Sequence, residues 1–471
     1  MGLSDLGAAG ISCALSETAA KGGVGMAVHA DRVPLREDME PFEIMISESQ
    51  ERMLAVCEPA KAAAVIEICE RWGLKATQIG EVIPGDKLEI YWKGEKVVDV
   101  PASSLADGPV YSRESARPQY LDRVAAADLS TVEHPSDLND VLMRLVASPN
   151  LCSRHWVWEQ YDHMVQLNTV VYPGSDAAVL RVKGTGKGLA LSVDGNGRYC
   201  YLDPYTGAQI AVVEAARNVI ASGAVPAAIT NCLNFGNPER PDIFWQFIRA
   251  VEGMSDACRA LDLPVVSGNV SFYNESFGEA IHPTPVIGMV GVLPDIEKRV
   301  GIGFQSQDDL IVLLGETLPE LGGSEYLKVI HGLTEGRPPG VDLAKERAVQ
   351  AVCREAIEQG FILSAHDCSE GGLAVTLIDS CWATGLGATL RVETDLAPAE
   401  WMFSESQSRF VVTLKKMDLP RLQEIARAQV GVPVEVLGWV GGKHLVINDW
   451  IAMHLEKSRE AWRTALENIL A

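Results

Sequence analysis

Two aspartates, Asp5 and Asp367, each follow a short run and precede a glycine-rich turn, Leu-Gly-Ala-Ala-Gly10 and Cys-Ser-Glu-Gly-Gly372. A carboxylate that closes a strand there can ligate Mg²⁺, while the start of the next helix faces a phosphate. The same aspartate can instead cap that helix, and the residues alone leave both roles open. Two Ser-Glu-Ser-Gln runs, Ser47-Glu48-Ser49-Gln50 and Ser404-Glu405-Ser406-Gln407, gather hydrogen-bonding side chains ahead of an apolar strand. Such a run suits a small ligand with several donors and acceptors, and a polar turn has the same composition. Asn231 opens a stretch rich in amides and glycine, and Gly268, Asn269 and Ser271 are expected directly after a short apolar strand. Glycine admits a ligand to the backbone, an Asn oxygen is a hard donor for Mg²⁺, and a Ser hydroxyl can hold phosphate or substrate. Ser-Gly-Asn is also ordinary turn chemistry.

Other motifs fail on spacing. Lys183-Gly-Thr-Gly-Lys-Gly188 lacks the four-residue spacer and Lys-Ser/Thr ending of a P-loop. Leu321-Gly-Gly-Ser-Glu-Tyr326 fits either a phosphate loop or the turn that starts a helix. The nine histidines form no H-x-x-x-H pair, and no G-x-S-x-G elbow occurs, so metalloprotease and serine-hydrolase chemistry have no support. Ten cysteines without a C-x-x-C pair argue against a zinc site or disulfide frame and point to a reducing cytoplasm.

The elements that must carry these residues occur twice. Asp5 to Gly25 aligns on Asp367 to Gly387 at an offset of 362, and Ser47 to Arg52 on Ser404 to Arg409 at an offset of 357. Ile79-Gly80 then falls on Leu437-Gly438 at 358. Three blocks in one order at a nearly constant offset mark a duplicated unit. In the first copy, periodicity predicts a helix over 8–21, a strand over 52–57, a helix over 59–72 and a strand over 76–82, then a hairpin across Lys93-Gly94. The second copy predicts strands over 310–314, 410–415, 434–440 and 444–448 and a helix over 419–428. The second copy also has a long stretch before its aspartate block that the first lacks, so a segment on the order of 200 residues, one domain, is expected to be missing from the N-terminus. The expected domains are 1–120 (C-terminal part of the first repeat), a polar connector 121–155, an α/β domain 156–295, and its partner 296–471. Mixed sheets covered by helices, an α/β (α+β) class, are the expected architecture.

With 471 residues, 47% hydrophobic and 22% charged, the chain is an ordinary multi-domain globular one. Its net charge of −23 repels polyphosphate backbones, so nucleic acid is not expected as a partner. No apolar run reaches the roughly 20 residues of a membrane helix.

Taken together, SDLGAAG, PFEIMISESQERM, WVWEQYDHM, DGNGRYCYLDPY, EAARNVIASGAVPAAITNCLNFGNPERP, PVVSGNVSFYNE, LGGSEYL and HDCSEGGLA closely resemble the phosphoribosylformylglycinamidine synthase family along the whole chain. The resemblance implies a PurM-like tandem-repeat synthetase that makes an amidine from formylglycinamide ribonucleotide, ATP and ammonia in purine biosynthesis. The chain resembles the small form, which implies separate glutaminase and adaptor subunits and a cytoplasmic location. ATP phosphorylates the amide oxygen to an iminophosphate, and ammonia displaces the phosphate.

Carried over by position, Asp5 and Asn269 become Mg²⁺ ligands, Glu48, Ser49, Gln50 and Ser271 substrate contacts, and Asn231 and Gly268 ATP contacts. Asn231 stands where many members have an aspartate; its amide accepts a hydrogen bond but brings no charge. Arg217-Asn218 resembles an arginine–aspartate pair of the family's first half, which makes the second copy the degenerate one. The general-base histidine belongs to the missing N-terminal domain, so no catalytic residue is expected here. Two other readings remain: a non-catalytic nucleotide-binding or assembly module, and a related single-unit enzyme such as an aminoimidazole ribonucleotide or selenophosphate synthetase, against which the duplication counts.

Overall fold

The computed structural model describes residues 2–108, 110–429 and 431–471, which divide into a first unit ending at Ser112 and a second from Arg113 to Ala471. The first unit opens with β1 (Gly2–Asp5), whose last residue is the aspartate, followed by α1 (Gly10–Gly22) and β2 (Gly25–His29). Gly23, in the left-handed region at φ 60°, stops α1 by returning its N–H to the carbonyls of Ala19 and Ala20. Then come α2 (Pro41–Ile46), β3 (Met53–Val56), α3 (Ala62–Arg71), β4 (Gly80–Ile83), the hairpin β5 (Lys87–Trp92) and β6 (Glu95–Pro101), and a short α4 (Ser103–Ala106). The strands form two sheets, β1-β3 and β4-β2-β5-β6. Ile11, Leu15 and Ala19 of α1 are buried with Met26, Val28, Leu88 and Ile90, and Leu54 and Val56 of β3 pack on the same cluster. One helix therefore roofs both sheets.

The second unit begins with α5 (Tyr120–Ala125), α6 (Leu138–Val146) and α7 (His155–Trp158). Asp137 caps α6 by accepting the N–H groups of Asn139 and Asp140, and Leu138, Val141, Leu142 and Leu145 line its buried stripe. Residues 121–155, expected as a connector, thus also supply core.

Strands β7 (Thr169–Val171), β8 (Ala178–Arg181) and β9 (Gly188–Asp194) lead to α8 (Gly197–Leu202), α9 (Pro204–Ala221), β10 (Val225–Asn234) and α10 (Pro241–Leu261). After these come β11 (Val265–Ser271), the small hairpin β12 (Glu275–Ser276) and β13 (Glu279–Ala280), and β14 (Thr284–Leu293). Six of these strands make a sheet of order β11-β10-β14-β9-β8-β7, with only β10 and β11 parallel. Helix α9 lies on one face and is buried almost all round. On the other face Leu191 and Val193 of β9 are exposed, and on the edge strand β11 so are Val265 and Val266.

The rest is β15 (Leu310–Leu314), α11 (Leu343–Glu358), β16 (Ile362–Asp367), α12 (Gly372–Thr384), β17 (Ala388–Leu390), α13 (Pro398–Phe403), β18 (Phe410–Leu414) and α14 (Leu419–Ala428), then β19 (Val434–Val440), β20 (His444–Ile447), β21 (Ile451–His454) and α15 (Leu455–Leu470). Its seven-stranded sheet runs β16-β18-β15-β19-β17-β20-β21. Every residue of β18 is buried because α12 covers one face and α11 with α14 the other. The two copies match element for element, from β1 on β16 to β6 on β21. Among the described residues no helix is long and apolar enough to cross a membrane.

Candidate functional site

In the first copy the turn after Asp5 and the Ser47–Gln50 run are built to touch. Ala9 and Gly10 are both left-handed, at φ 57° and 55°. A Cβ on Gly10 would lie 2.1 Å from the Ser47 carbonyl oxygen, so only glycine admits the loop. The Ala9 N–H donates to Glu48 Oε1 at 3.0 Å, which ties the turn to the loop. Arg52 holds the loop from behind: its Nε donates to the Ser49 carbonyl at 3.1 Å and its Nη2 to that of Ser47. The Gln50 amide donates to the Glu48 carbonyl at 3.2 Å. Glu43 supports the start of α2 by accepting the Glu40 N–H at 2.8 Å. On this frame Asp5, Glu48, Ser49 and Gln50 are all exposed.

The second copy repeats the lock. Gly371 N–H donates to Glu405 Oε1 at 2.7 Å, a Cβ on Gly372 would lie 2.6 Å from the Ser404 carbonyl oxygen, and Arg409 donates to the Ser404 and Ser406 carbonyls at 2.8 Å. Here, however, the site is filled from α9. Arg217, fully buried, donates to Glu346 at 3.1 Å, to Gln407 Oε1 at 2.8 Å and to Asp367 Oδ2 at 3.4 Å. Asp367 and Gln407 are the counterparts of Asp5 and Gln50, so one guanidinium occupies in the second copy what stands open in the first. Glu405 also accepts the Glu325 N–H at 2.8 Å and the Tyr199 hydroxyl. Asn218 turns its amide to Asp194 at 3.0 Å. Sequence reasoning missed Glu214, Glu325 and Glu346. A visible signal was Glu214 with Arg217, three residues apart inside an otherwise apolar helix.

Asn231, Gly268, Asn269 and Ser271 belong to the second unit. All four lie within strands, whereas Gly268, Asn269 and Ser271 are expected from sequence after one, because β11 pairs in parallel with β10 through Ser271. Asn231 stands opposite Gly268, and a Cβ there would sit 2.1 Å from Asn231 Oδ1, so glycine lets that amide lie across the strand. Gly268 and Asn269 are exposed, and Ser271, half-buried, exchanges hydrogen bonds with Asn274. The Leu321–Tyr326 stretch is buried and leads into the helical turn Leu327–His331, as a helix-start turn does. Lys183–Lys187 is the exposed turn between β8 and β9, and Gly188, buried, opens a strand, not a helix.

A model described as AIR synthase related protein, C-terminal domain, matches residues 1–93 and again 306–449, and its N-terminal domain partner matches 174–293. The chain belongs to the AIR synthase related family. Its relatives include the phosphoribosylformylglycinamidine synthase subunit PurL of Moorella thermoacetica, 52% identical over 100% of this chain and 65% of that protein. The same subunit of Alkaliphilus metalliredigens is 48% identical over 100% of this chain and 64% of that one. Among solved structures, T. maritima PurL complexed with ATP aligns with TM-score 0.65 and 30% identity over 94% of this chain and 63% of that one. The form complexed with FGAR gives 0.66 and 30% over 94% and 62%. The chain thus spans about 65% of the length of the curated relatives it matches. The repeated C-terminal domain of this family accounts for the duplication.

In the second unit, burial dominates the electrostatics. It pushes Asp194 up to about 8, with Asp367 adding like charge, and Glu405 up to about 8, with Glu370 doing the same. Burial likewise holds Glu214 well above the carboxylate range. Burial alone would lower His366, but Asp176, 2.6 Å from its Nδ1, lifts it to about 9. A carboxylate raised in the folded state stabilises the fold fully below its unfolded value of about 4 and loses that contribution as pH rises through its folded one. His366 loses its share as pH rises through about 9. All these groups have the same sign. The melting temperature of the second unit is therefore expected to fall by about 3–8 °C between pH 6 and pH 9 at constant ionic strength. A melt that is flat or rising over that range would sink the assignment.

Proposed function

We propose that this chain carries part of an ATP-dependent synthase that converts formylglycinamide ribonucleotide to the amidine in purine biosynthesis, and that it acts with a segment ahead of it. The observation that carries this reading is the contrast between the copies: the same turn-and-loop lock leaves Asp5, Glu48, Ser49 and Gln50 exposed in one and sealed by Arg217 in the other. The names of the T. maritima PurL structures, with ATP and with FGAR, support both ligands. In the reaction the γ-phosphoryl passes to the amide oxygen and ADP leaves. Ammonia then attacks the imidate carbon, the C–O bond breaks, and phosphate departs.

Glu48, Ser49, Gln50 and Ser271 position the formylglycinamide ribonucleotide, and Asn231 and Gly268 contact ATP. The exposed carboxylate of Asp5 and the amide oxygen of Asn269 are hard donors of the kind Mg²⁺ takes. Bound there, Mg²⁺ would neutralise phosphate charge. The general base lies outside this chain. The working domains are 1–120, 121–155, 156–295 and 296–471, a glutaminase and a small adaptor subunit supply ammonia, and the compartment is the cytoplasm.

The test is ADP release from Mg²⁺-ATP, formylglycinamide ribonucleotide and ammonium, with and without the unmatched part of the M. thermoacetica relative. Release only on its addition is expected. Full turnover by the chain alone would place the base within these residues, and no turnover in either case would remove the synthase reading.

A further inference from the structure

Strand β11 ends at Ser271, and the next three residues fold back toward the end of β10. Phe272 packs edge-on against Phe247, with ring centroids 5.1 Å apart. Tyr273 is left-handed at φ 60° and turns outward, 56% exposed. Asn274 then returns to the strand ends, where its N–H donates to the Phe235 carbonyl at 3.1 Å. The Phe235 N–H donates in turn to the Ser271 carbonyl at 3.0 Å.

The side chain of Asn274 lies inside this clasp. Its Nδ2 is 3.1 Å from the Phe235 carbonyl oxygen, 2.8 Å from that of Ser271 and 3.1 Å from Ser271 Oγ. Carbonyl oxygens only accept, so the side-chain atom that faces them is the amide nitrogen. Both carbonyls already receive a backbone N–H, which leaves an amide proton for Ser271 Oγ. That hydroxyl oxygen is therefore an acceptor toward Asn274. Its own proton has a poor local partner: Asn274 Oδ1 is 3.4 Å away, beyond the range of about 2.5–3.0 Å for a good O–H donor. Among the described residues the hydroxyl donates to no other side chain.

We infer that Asn274 is a positioning residue that fixes the Ser271 hydroxyl as a hydrogen-bond donor, and that the group Ser271 meets is an oxygen acceptor of the formylglycinamide ribonucleotide, not one of its N–H groups. The amide occupies the oxygen's acceptor side and leaves the proton for the ligand. The inference rests on the proposed function for the ligand that Ser271 contacts.

The test measures KM and kcat of the full chain combined with the unmatched part of the M. thermoacetica relative, for the unaltered chain, Asn274→Asp, Ser271→Ala and the double variant. A carboxylate of the same shape offers no N–H and takes the Ser271 proton itself. Asn274→Asp is expected to raise KM for formylglycinamide ribonucleotide by about tenfold, with kcat and KM for ATP unchanged, as loss of one uniform binding contact does. Ser271→Ala is expected to do the same, and the double variant no more than either. Asn274→Ala keeps both carbonyls on their backbone donors and so keeps the fold. It is expected to raise the same KM by about threefold, the cost of selecting one of three hydroxyl rotamers. Additive effects in the double variant would reduce Asn274 to a structural clasp and overturn the inference. An unchanged KM, or a rise confined to ATP, would overturn it as well, and each of these outcomes leaves the proposed function standing. No turnover by the unaltered chain would remove both.

Discussion

Replacing Arg217 with alanine is expected to destabilise the second unit by about 3–5 kcal/mol, because removing one partner of a buried ion pair strands the other. Three acceptors lose their donor at once: Glu346, Asp367 and Gln407. Glu214, 3.7 Å from the guanidinium, loses that neighbour as well. Glu346 keeps only the Ser408 hydroxyl at 2.5 Å and the Gln350 amide at 2.8 Å, too little for a carboxylate with no exposure. The readout is thermal melting, with a drop of about 5–10 °C. Arg217→Lys is expected to recover little, since an ammonium cannot span acceptors set around a planar fork. Arg217→Met combined with Glu346→Gln is expected to recover more, by removing a stranded charge along with its partner. A melt of the alanine variant unchanged within about 1 °C would mean that protons, not Arg217, neutralise this cluster.

In the reconstituted enzyme, Glu48→Ala is expected to lower kcat/KM by about 100-fold, the order of loss that a small displacement of positioning groups produces. Glu48 binds the Ala9 N–H that holds the turn after Asp5 against the loop carrying Ser49 and Gln50, so its loss loosens both. Glu48→Gln separates two roles. An amide oxygen still accepts the Ala9 N–H but carries no charge. Near-normal activity in the glutamine variant would assign Glu48 to the lock; a loss equal to that of alanine would assign its charge to the substrate. Activity unaffected by either change would place the working site elsewhere. Glu405→Gln, in the sealed copy, is expected to leave the rate unchanged.

Local chemistry made much of this legible in advance. The helix expected over 419–428 and the strand over 434–440 occur as α14 and β19 at those bounds, because apolar period and flanking turn residues act over a few positions. The duplication was readable for the same reason: glycines at left-handed turns and Ser-Glu-Ser-Gln runs leave the same mark wherever they recur. The helix over 59–72 was less sharp, a short 3₁₀ turn Pro59–Lys61 preceding α3, and the strand expected from 76 begins only at Gly80. Gly268, Asn269 and Ser271 read as turn chemistry because nothing in their types reveals that β10 pairs alongside.

What the amino-acid order determined by itself was therefore the set of elements, their repetition, and the two recurring motifs, the turn after Asp5 and the Ser47–Gln50 run, that the lock joins. Only the tertiary structure decided that one copy of the lock is open and the other sealed. That difference depends on Arg217 reaching Asp367 across 150 residues. Burial and charge state belong to whatever packs against a residue, and packing partners distant in the chain leave no local trace in its sequence.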